Sequence, residues 1–434
     1  MKNQLKKILE KTLRVFAIKI LKKYQPEIVA ITGSVGKTST KEAIFTVLSS
    51  SFNVRQNIKN YNNEIGIPLT IINSQAAGKS IIGWLAVFLK AIKLIISTDK
   101  NYPKILILEM GADHAGDIKY LTKFIPVKVG VITAVAPVHL EYFKTLEEVA
   151  KEKSNLIKSL SKSGWAVLNY DDKLVNEMKK NTAALVVSFG LIPQADIFAS
   201  EIAISHDVDY KDVTTIQGIS FKLNYKGNVV PILLPQVLGQ HLVYSALAAI
   251  AVGIIYKINL HKIIESLKTY QPPKGRMHII PGIKHTLIID DSYNSSPLAA
   301  QKALHQLGQI NLDKHHKKYA VLGDMLELGS YTEQAHQEVG QAVYNYGVDY
   351  LVTVGEVSRD MVRGAIAAGM NKDHCFNFKN SAEAGLFLQQ RIEQGDLILV
   401  KGSQGTRMEK VVKELMAEPQ KAEELLVRQG KEWQ

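Results

Sequence analysis

The stretch Ile28-Val-Ala-Ile-Thr-Gly33-Ser-Val-Gly36-Lys37-Thr38-Ser39 is an apolar run that enters a glycine-containing loop and leaves it as a helix. Glycines let backbone N–H groups converge on phosphate oxygens, and the helix N-terminus adds its positive end. A lysine in the place of Lys37 reaches terminal phosphates, and the Thr38 hydroxyl can ligate magnesium. Gly33, Ser34, Gly36, Lys37, Thr38 and Ser39 are therefore candidate nucleotide contacts. Ile31 stands where the usual eight-residue pattern has its first glycine, so the strand and helix on either side carry the reading more than Gly-Lys-Thr alone.

Short β-rich runs alternate with helical ones on both sides of this loop: strands at 28–32, 105–109, 127–133 and 166–169, with helices from the loop to Leu48 and across 146–160. Strands separated by helices indicate a parallel sheet covered on both faces. A second alternating series follows Pro272-Pro273, with strands expected at 286–290, 319–322, 350–354 and 397–400. The expected fold class is α/β, a P-loop ATPase-like parallel-sheet domain followed by a smaller Rossmann-like α/β domain. Its expected boundaries are a basic helix at 1–26, an ATP-binding domain at 27–272 and a C-terminal domain at 273–434. Residues 195–235 read as a small β excursion with turns at Gly218 and Gly227.

Composition narrows the class. With 434 residues, 46% hydrophobic and 22% charged, the chain has the make-up of a globular protein of two or three domains, not of a disordered or fibrous one. A single cysteine, Cys375, excludes an internal disulfide or a thiolate zinc cage and points to a reducing cytoplasm. The net charge of +12 suggests nucleic acid until its distribution is seen: residues 1–26 carry eight basic groups against Glu10, which leaves +5 for the remaining 408 positions. No nucleic-acid partner is expected.

Residues 3–24 place Leu5, Leu9, Leu13, Phe16 and Ile20 on one helical stripe with Lys7, Lys11, Arg14 and Lys22 opposite. Such a helix suits peripheral membrane contact through residues 1–24, and it equally suits docking on its own protein; the pattern leaves both open. The most apolar run, Ile81–Ile96, is interrupted by Lys90 and Lys93 and falls short of the roughly 20 residues needed to span a bilayer.

Further candidates lie at strand ends, where α/β sheets place their ligands. Glu109 closes an apolar strand just before Met110-Gly-Ala-Asp and is the best-placed carboxylate for magnesium. His139 follows another apolar strand in Thr133-Ala-Val-Ala-Pro-Val-His139; taken alone it reads as a structural histidine. Lys153, in a helix rich in Glu and Lys, reads by itself as a solvated surface group.

Taken together, these residues resemble the Mur ligase family of ATP-dependent amide-forming enzymes from about Glu27 to Val412. The motifs that carry the resemblance are 32–39; Asn60-Tyr-Asn-Asn-Glu-Ile-Gly-Ile-Pro-Leu-Thr70; Glu109-Met-Gly-Ala; His139-Leu-Glu-Tyr-Phe with Lys153; and Gly239-Gln-His241. They continue with Gly275-Arg276 and Asp290-Asp-Ser-Tyr-Asn-Ser-Ser-Pro297, then Leu322-Gly-Asp-Met-Leu-Glu-Leu-Gly329 and Val400-Lys-Gly-Ser403. Asp-Asp-Ser-Tyr-Asn and the run 323–329 point to the branch that adds D-alanyl-D-alanine to UDP-N-acetylmuramoyl-tripeptide in peptidoglycan synthesis. The resemblance implies that Lys37, Glu109, His139 and Lys153 are catalytic. It further implies that Thr38, Glu109, His139 and Lys153 hold two magnesium ions, and that Lys153 reacts with carbon dioxide to become a carbamate. Asn63 would lie near the γ-phosphate, His241 and Ser245 near adenine, and Arg276 and Asp291 against the nucleotide from the C-terminal domain. Ser245 stands where the family usually has asparagine, which puts the purine contacts in question.

The family enzyme has a first domain that grips the UDP-sugar, whereas 26 residues precede the P-loop strand here. The uridine end of the acceptor is expected to be held differently, held by another protein, or absent. Two alternatives to this ligase follow: a related ligase with a lipid-linked or other peptide acceptor, and a non-catalytic ATP-binding partner subunit.

Overall fold

The computed structural model describes residues 2–58, 61–136, 143, 145–206, 215–430 and 433. It divides into two compact units, one of residues 1–201, 221–232 and 241–270 and the other of 202–220, 233–240 and 271–434.

The first unit contains six parallel strands, β1 (Glu27–Thr32), β2 (Val54–Gln56), β3 (Ile105–Glu109), β4 (Val129–Ile132), β5 (Trp165–Asn169) and β6 (Leu185–Gly190). Three longer strands, β7 (Ile197–His206), β8 (Ile216–Tyr225) and β9 (Asn228–Pro235), extend the sheet in the order β2-β3-β1-β4-β5-β6-β7-β8-β9. β1 lies at the centre of the parallel part, paired with β3 on one side and β4 on the other. Five of its six residues, Ile28 to Thr32, are fully buried, as a strand covered on both faces requires. The covering helices include α1 (Lys2–Tyr24), α2 (Lys37–Ser49), α3 (Gly66–Ile72), α4 (Ile81–Ile96), α5 (Asp117–Thr122) and α6 (Leu146–Lys158).

The excursion at 195–235 is a set of long strands. Lys226-Gly227 turns β8 into β9 with φ of 47° and 79°, the left-handed pair that a two-residue hairpin prefers. Gly218 is not a turn. It sits inside β8, where an added Cβ would meet the Leu234 carbonyl oxygen at 2.1 Å, so glycine there permits a close strand-to-strand approach.

The second unit holds a six-stranded sheet built from β10 (His278–Pro281), β11 (Leu287–Asp291), β12 (Lys318–Gly323), β13 (Tyr350–Val354), β14 (Cys375–Phe378) and β15 (Leu397–Lys401), ordered β10-β11-β15-β12-β13-β14. Only the edge pair β10–β11 is antiparallel among the pairings described for this sheet. Strands β2, β6, β10 and β14 were not expected from the sequence. None of the four is a fully buried strand; Leu185 and Val186 of β6 are exposed although β6 is paired on both sides, so a pattern based on burial misses it.

Helix α1 docks on its own protein. Leu13, Ala17, Ile20 and Leu21 are buried in the core beneath the sheet, Leu9 and Phe16 pack at its margin, and Leu5 stays exposed. Arg14, expected on the polar side, stacks its guanidinium over the Tyr120 and Phe124 rings at 5.0 and 5.2 Å. Among the described residues no helix is long and apolar enough to cross a membrane. If α1 is integral to this core, Leu13→Ala will lower the unfolding free energy by about 2–5 kcal/mol in urea denaturation. Leu5→Ala will stay within about 0.5 kcal/mol of the parent.

Candidate active site

The loop between β1 and α2 is shaped by two glycines. Gly36 adopts φ 82°, left-handed, at the position that starts α2, and among the described residues no side chain caps that terminus. Gly33 lies so close to the end of β4 that a Cβ would come within 1.9 Å of the Thr133 hydroxyl. The segment after β4 clamps the loop: the Thr133 hydroxyl donates to the Val35 carbonyl at 2.6 Å, and Ser34 donates through its backbone N–H to Ala134 at 2.7 Å and through its hydroxyl to Ala136 at 3.0 Å. The Lys37 ammonium donates to the Gly33 and Ser34 carbonyls at 2.7 and 3.2 Å, which keeps it at the mouth of the loop. Thr38 is half-buried, and Ser39 is buried with its carbonyl accepting from the Tyr270 hydroxyl at 3.2 Å. An uncapped helix N-terminus behind a left-handed glycine, with a lysine at the rim, suits a polyphosphate.

Glu109 reaches the same place along the neighbouring strand. In the β1–β3 register it lies beside Ile31, and the Met110 N–H donates to the Ile31 carbonyl at 2.8 Å. Its backbone is held by the fully buried Asn57, whose side-chain oxygen accepts from the Glu109 N–H at 2.9 Å and whose amide donates to the Glu109 carbonyl at 3.3 Å. Asn62 donates to Oε1 at 3.3 Å, while Oε2 is buried with no hydrogen-bond partner among the described residues. A buried carboxylate oxygen without a donor is costly unless a cation supplies the missing charge, so this donor fits a metal. Among the described residues no three His, Cys, Asp or Glu side chains cluster as a cage by themselves. Magnesium keeps several waters and needs only one or two carboxylates.

Lys153 is not a surface group. It is 3% exposed on α6, and burial draws its pKa down to about 7. The like charge of Lys37 pulls the same way, while Glu152 and Asp113 pull against it. The Lys37 interaction puts the two ammonium groups in one electrostatic neighbourhood. Glu152 is committed elsewhere, accepting from the Gly116 and Ile118 N–H groups at 2.8 and 2.7 Å at the start of α5. His139 lies outside the described residues.

The other expected contacts are placed as follows. The exposed Asn63 accepts through its side-chain oxygen from the N–H groups of Ile65 and Gly66 and so starts α3. His241 is exposed at the beginning of the helix Gln240–Ile255. Ser245, one turn on, is 1% exposed, and its hydroxyl is bonded to that of Thr40 at 3.2 Å beneath α2. In the second unit, Arg276 lies with its guanidinium 4.4 Å over the Tyr293 ring and its Nε buried without a partner among the described residues. Asp291, at the end of β11, accepts from the Lys401 ammonium at 2.6 Å. Its neighbour Asp290 is fully buried, and burial raises its carboxyl to about 6. Arg428 braces this corner, donating to the Ser292 and Tyr293 carbonyls while paired with the buried Glu409.

Asn57, Thr133 and Arg428 were not foreseen. Their partners lie 52, 98 and 136 positions away in sequence, and no local pattern marks such contacts.

The model of the Mur ligase middle domain matches residues 31–82 and 89–253, and that of the Mur ligase glutamate ligase domain matches 275–404. The UDP-N-acetylmuramoyl-tripeptide–D-alanyl-D-alanine ligase of Buchnera aphidicola subsp. Baizongia pistaciae is 31% identical over 398 residues, spanning 91% of this chain and 76% of its own. The enzyme of the same name from Bacillus subtilis is 28% identical over 407 residues, 94% of this chain and 79% of its own. A crystal structure of MurF from Acinetobacter baumannii superposes with a TM-score of 0.74 at 26% identity, covering 92% of this chain and 79% of that one. The ADP complex of MurF from Thermotoga maritima shares the fold, with a TM-score of 0.72 at 23% identity over 93% of this chain and 83% of its own.

The Asn57 clamp is open to measurement. Asn57→Ala leaves the Glu109 and Tyr61 backbone groups without their buried partner and will cost about 1–3 kcal/mol of stability for each group stranded, read by urea unfolding.

Proposed function

The chain belongs to the Mur ligase family, and we propose that it joins the carboxylate of a UDP-N-acetylmuramoyl-tripeptide to the amine of D-alanyl-D-alanine at the expense of ATP, on the cytoplasmic side of the cell. The observation that supports this reading most is the combination of three features: a phosphate-shaped loop, the Oε2 of Glu109 on the adjoining strand end without a partner among the described residues, and the buried Lys153, whose amine feels the charge of Lys37.

A carboxylate is a poor electrophile, so amide formation in water needs activation. Phosphoryl transfer to the acceptor carboxylate gives an acyl phosphate; the incoming amine attacks its carbon, and phosphate leaves with ADP as the other product. In this proposal Gly33, Ser34, Gly36 and Ser39 shape the loop, Lys37 neutralises charge developing on the transferred phosphoryl group, and Asn63 lies near the γ-phosphate. His241 and Ser245 sit towards the purine, although the buried Ser245 hydroxyl is engaged by Thr40. Arg276 and Asp291 contact the nucleotide from the C-terminal domain.

Thr38, Glu109, His139 and Lys153 would hold two magnesium ions, which supply positive charge where the transferred phosphoryl group becomes more negative. An ammonium cannot ligate a cation, whereas a carbamate presents an oxyanion, and only the free amine reacts with carbon dioxide. At pH 7 a pKa of about 7 leaves roughly half of Lys153 as free base, against about one part in 3,000 for an ordinary lysine. Peripheral membrane contact involving residues 1–24 belongs to the same proposal, since α1 keeps Lys11, Lys19 and Lys22 exposed. Nucleic acid has no part in it.

An assay with ATP, magnesium, UDP-N-acetylmuramoyl-tripeptide and D-alanyl-D-alanine, read by phosphate release and by product mass, tests the reading. Amide product is expected, and Lys37→Ala will abolish it. Turnover with a lipid-linked acceptor alone would replace the acceptor; nucleotide binding without turnover would replace the enzyme by a binding subunit.

The pH dependence of Lys153 has a definite sign. With 13C-labelled bicarbonate, a carbamate resonance will grow as pH rises through about 7 and fade below it, because the neutral amine is the reacting form. Lys153→Arg will remove the resonance.

A further inference from the structure

Helix α4 is apolar on two sides. Val87, Ala91 and Leu94 are buried in the core, yet Ile81, Ile82, Leu85, Leu89, Ile92 and Ile96 face solvent, with Ile81 85%, Ile82 81% and Ile96 78% exposed. At 3.6 residues per turn these six fall within about 100° of the helix circumference, so they form one continuous stripe. Surface helices normally turn polar residues outward; a helix that is apolar nearly all round belongs in a larger core or in lipid. Sixteen residues make a helix about 24 Å long, too short to cross a bilayer, which leaves lying flat at its surface.

The neighbour α1 supplies charge. The Phe16 and Phe88 rings lie 5.9 Å apart, and further along the Lys23 ammonium and Tyr24 hydroxyl bond the Leu94 and Ser97 carbonyls, so the two helices run side by side in the same direction. Both press their buried residues into one core. On α1 the exposed Lys11, Val15, Lys19 and Lys22 lie opposite that core, and the stripe of α4 likewise faces away from it. The exposed faces therefore share one side of the pair. Lys93 borders the stripe on α4, which has no acidic residue, while Lys90 lies further round and donates to the Asn73 carbonyl; the 23 residues of α1 hold Glu10 as their only acid. Lys23 and Tyr24 also hold the last carbonyls of α4, fixing the stripe in position.

We infer that the exposed face of α4, with the lysines of α1 beside it, is a docking surface for a bilayer bearing anionic headgroups. The apolar side chains enter the headgroup boundary, and the lysines are attracted by the surface potential. Charge complementarity selects this occupant over a second copy, since a two-fold contact through the patch would set lysines against lysines. The inserting element is α4; the apolar stripe of α1 is spent on the core. The inference stands apart from the choice of acceptor.

Sedimentation of the full chain with vesicles of phosphatidylcholine plus phosphatidylglycerol, and with phosphatidylcholine alone, tests it. The protein will pellet with the anionic vesicles, and much less with neutral ones or in high salt. Leu85→Glu with Leu89→Glu, and separately Lys19→Glu with Lys22→Glu, will each lower the partition coefficient by about tenfold or more. These side chains are exposed, so circular dichroism and nucleotide binding will match the parent. Protein left in the supernatant with anionic vesicles, or binding untouched by the Leu85/Leu89 pair, would overturn the inference. So would a dimer in light scattering that this pair dissociates, which would give the face to a second copy.

Discussion

The parallel pairing of β1 with β3 sets Glu109 beside Ile31, and the candidate site follows from that register. It is locked at its end by the Met110 N–H on the Ile31 carbonyl and the Thr32 hydroxyl on the Met110 carbonyl at 2.8 Å. A slip of one residue would turn the carboxylate to the other face of the sheet and leave the glycine loop without it. On the opposite side, β4 ends level with β1 and delivers Thr133 into the space that Gly33 leaves open. Three strand tips thus converge on one loop, the ordinary consequence of a parallel sheet whose carboxyl ends lie at one edge.

Burial then changes what these side chains are. Lys153 sits in a helix whose sequence reads as solvated, yet it is sealed from water, and removing its solvent together with the nearness of Lys37 favours the free amine. Glu109 keeps one buried oxygen unpaired among the described residues. In the second unit the adjacent Asp290 and Asp291 differ for the same reason. β11 is buried continuously from Leu287 to Asp290, whereas Asp291 stands at the strand end against Lys401.

The helix pair α1 and α4 follows a similar logic on a larger scale. Each has enough apolar residues to face a core, and each packs there, but α4 has a second apolar side left over. Lysines cluster where that surplus is exposed. Neither fact follows from the hydrophobicity of either helix alone, because what matters is which face the neighbour leaves uncovered.

Local chemistry was legible in the residues themselves. The run Ile28–Ser39 announces strand, glycine loop and helix because apolar runs, left-handed turns and helix starts each demand particular side chains over a few positions. The buried strands β3, β5, β12, β13 and β15 were visible for the same reason, and the ordered motifs identified the family. The part-exposed strands β2, β6 and β14 were not, since a strand with little burial carries little periodic signal, and neither was β10, whose three buried residues are too few to make a pattern. Nor were the Asn57 clamp, the buried state of Lys153, the in-strand role of Gly218 or the outward stripe of α4. Local side-chain preference acts over neighbouring positions and can be read along the chain, whereas burial, register and the pairing of polar atoms depend on partners dozens to more than a hundred residues away, which only the folded arrangement brings into contact.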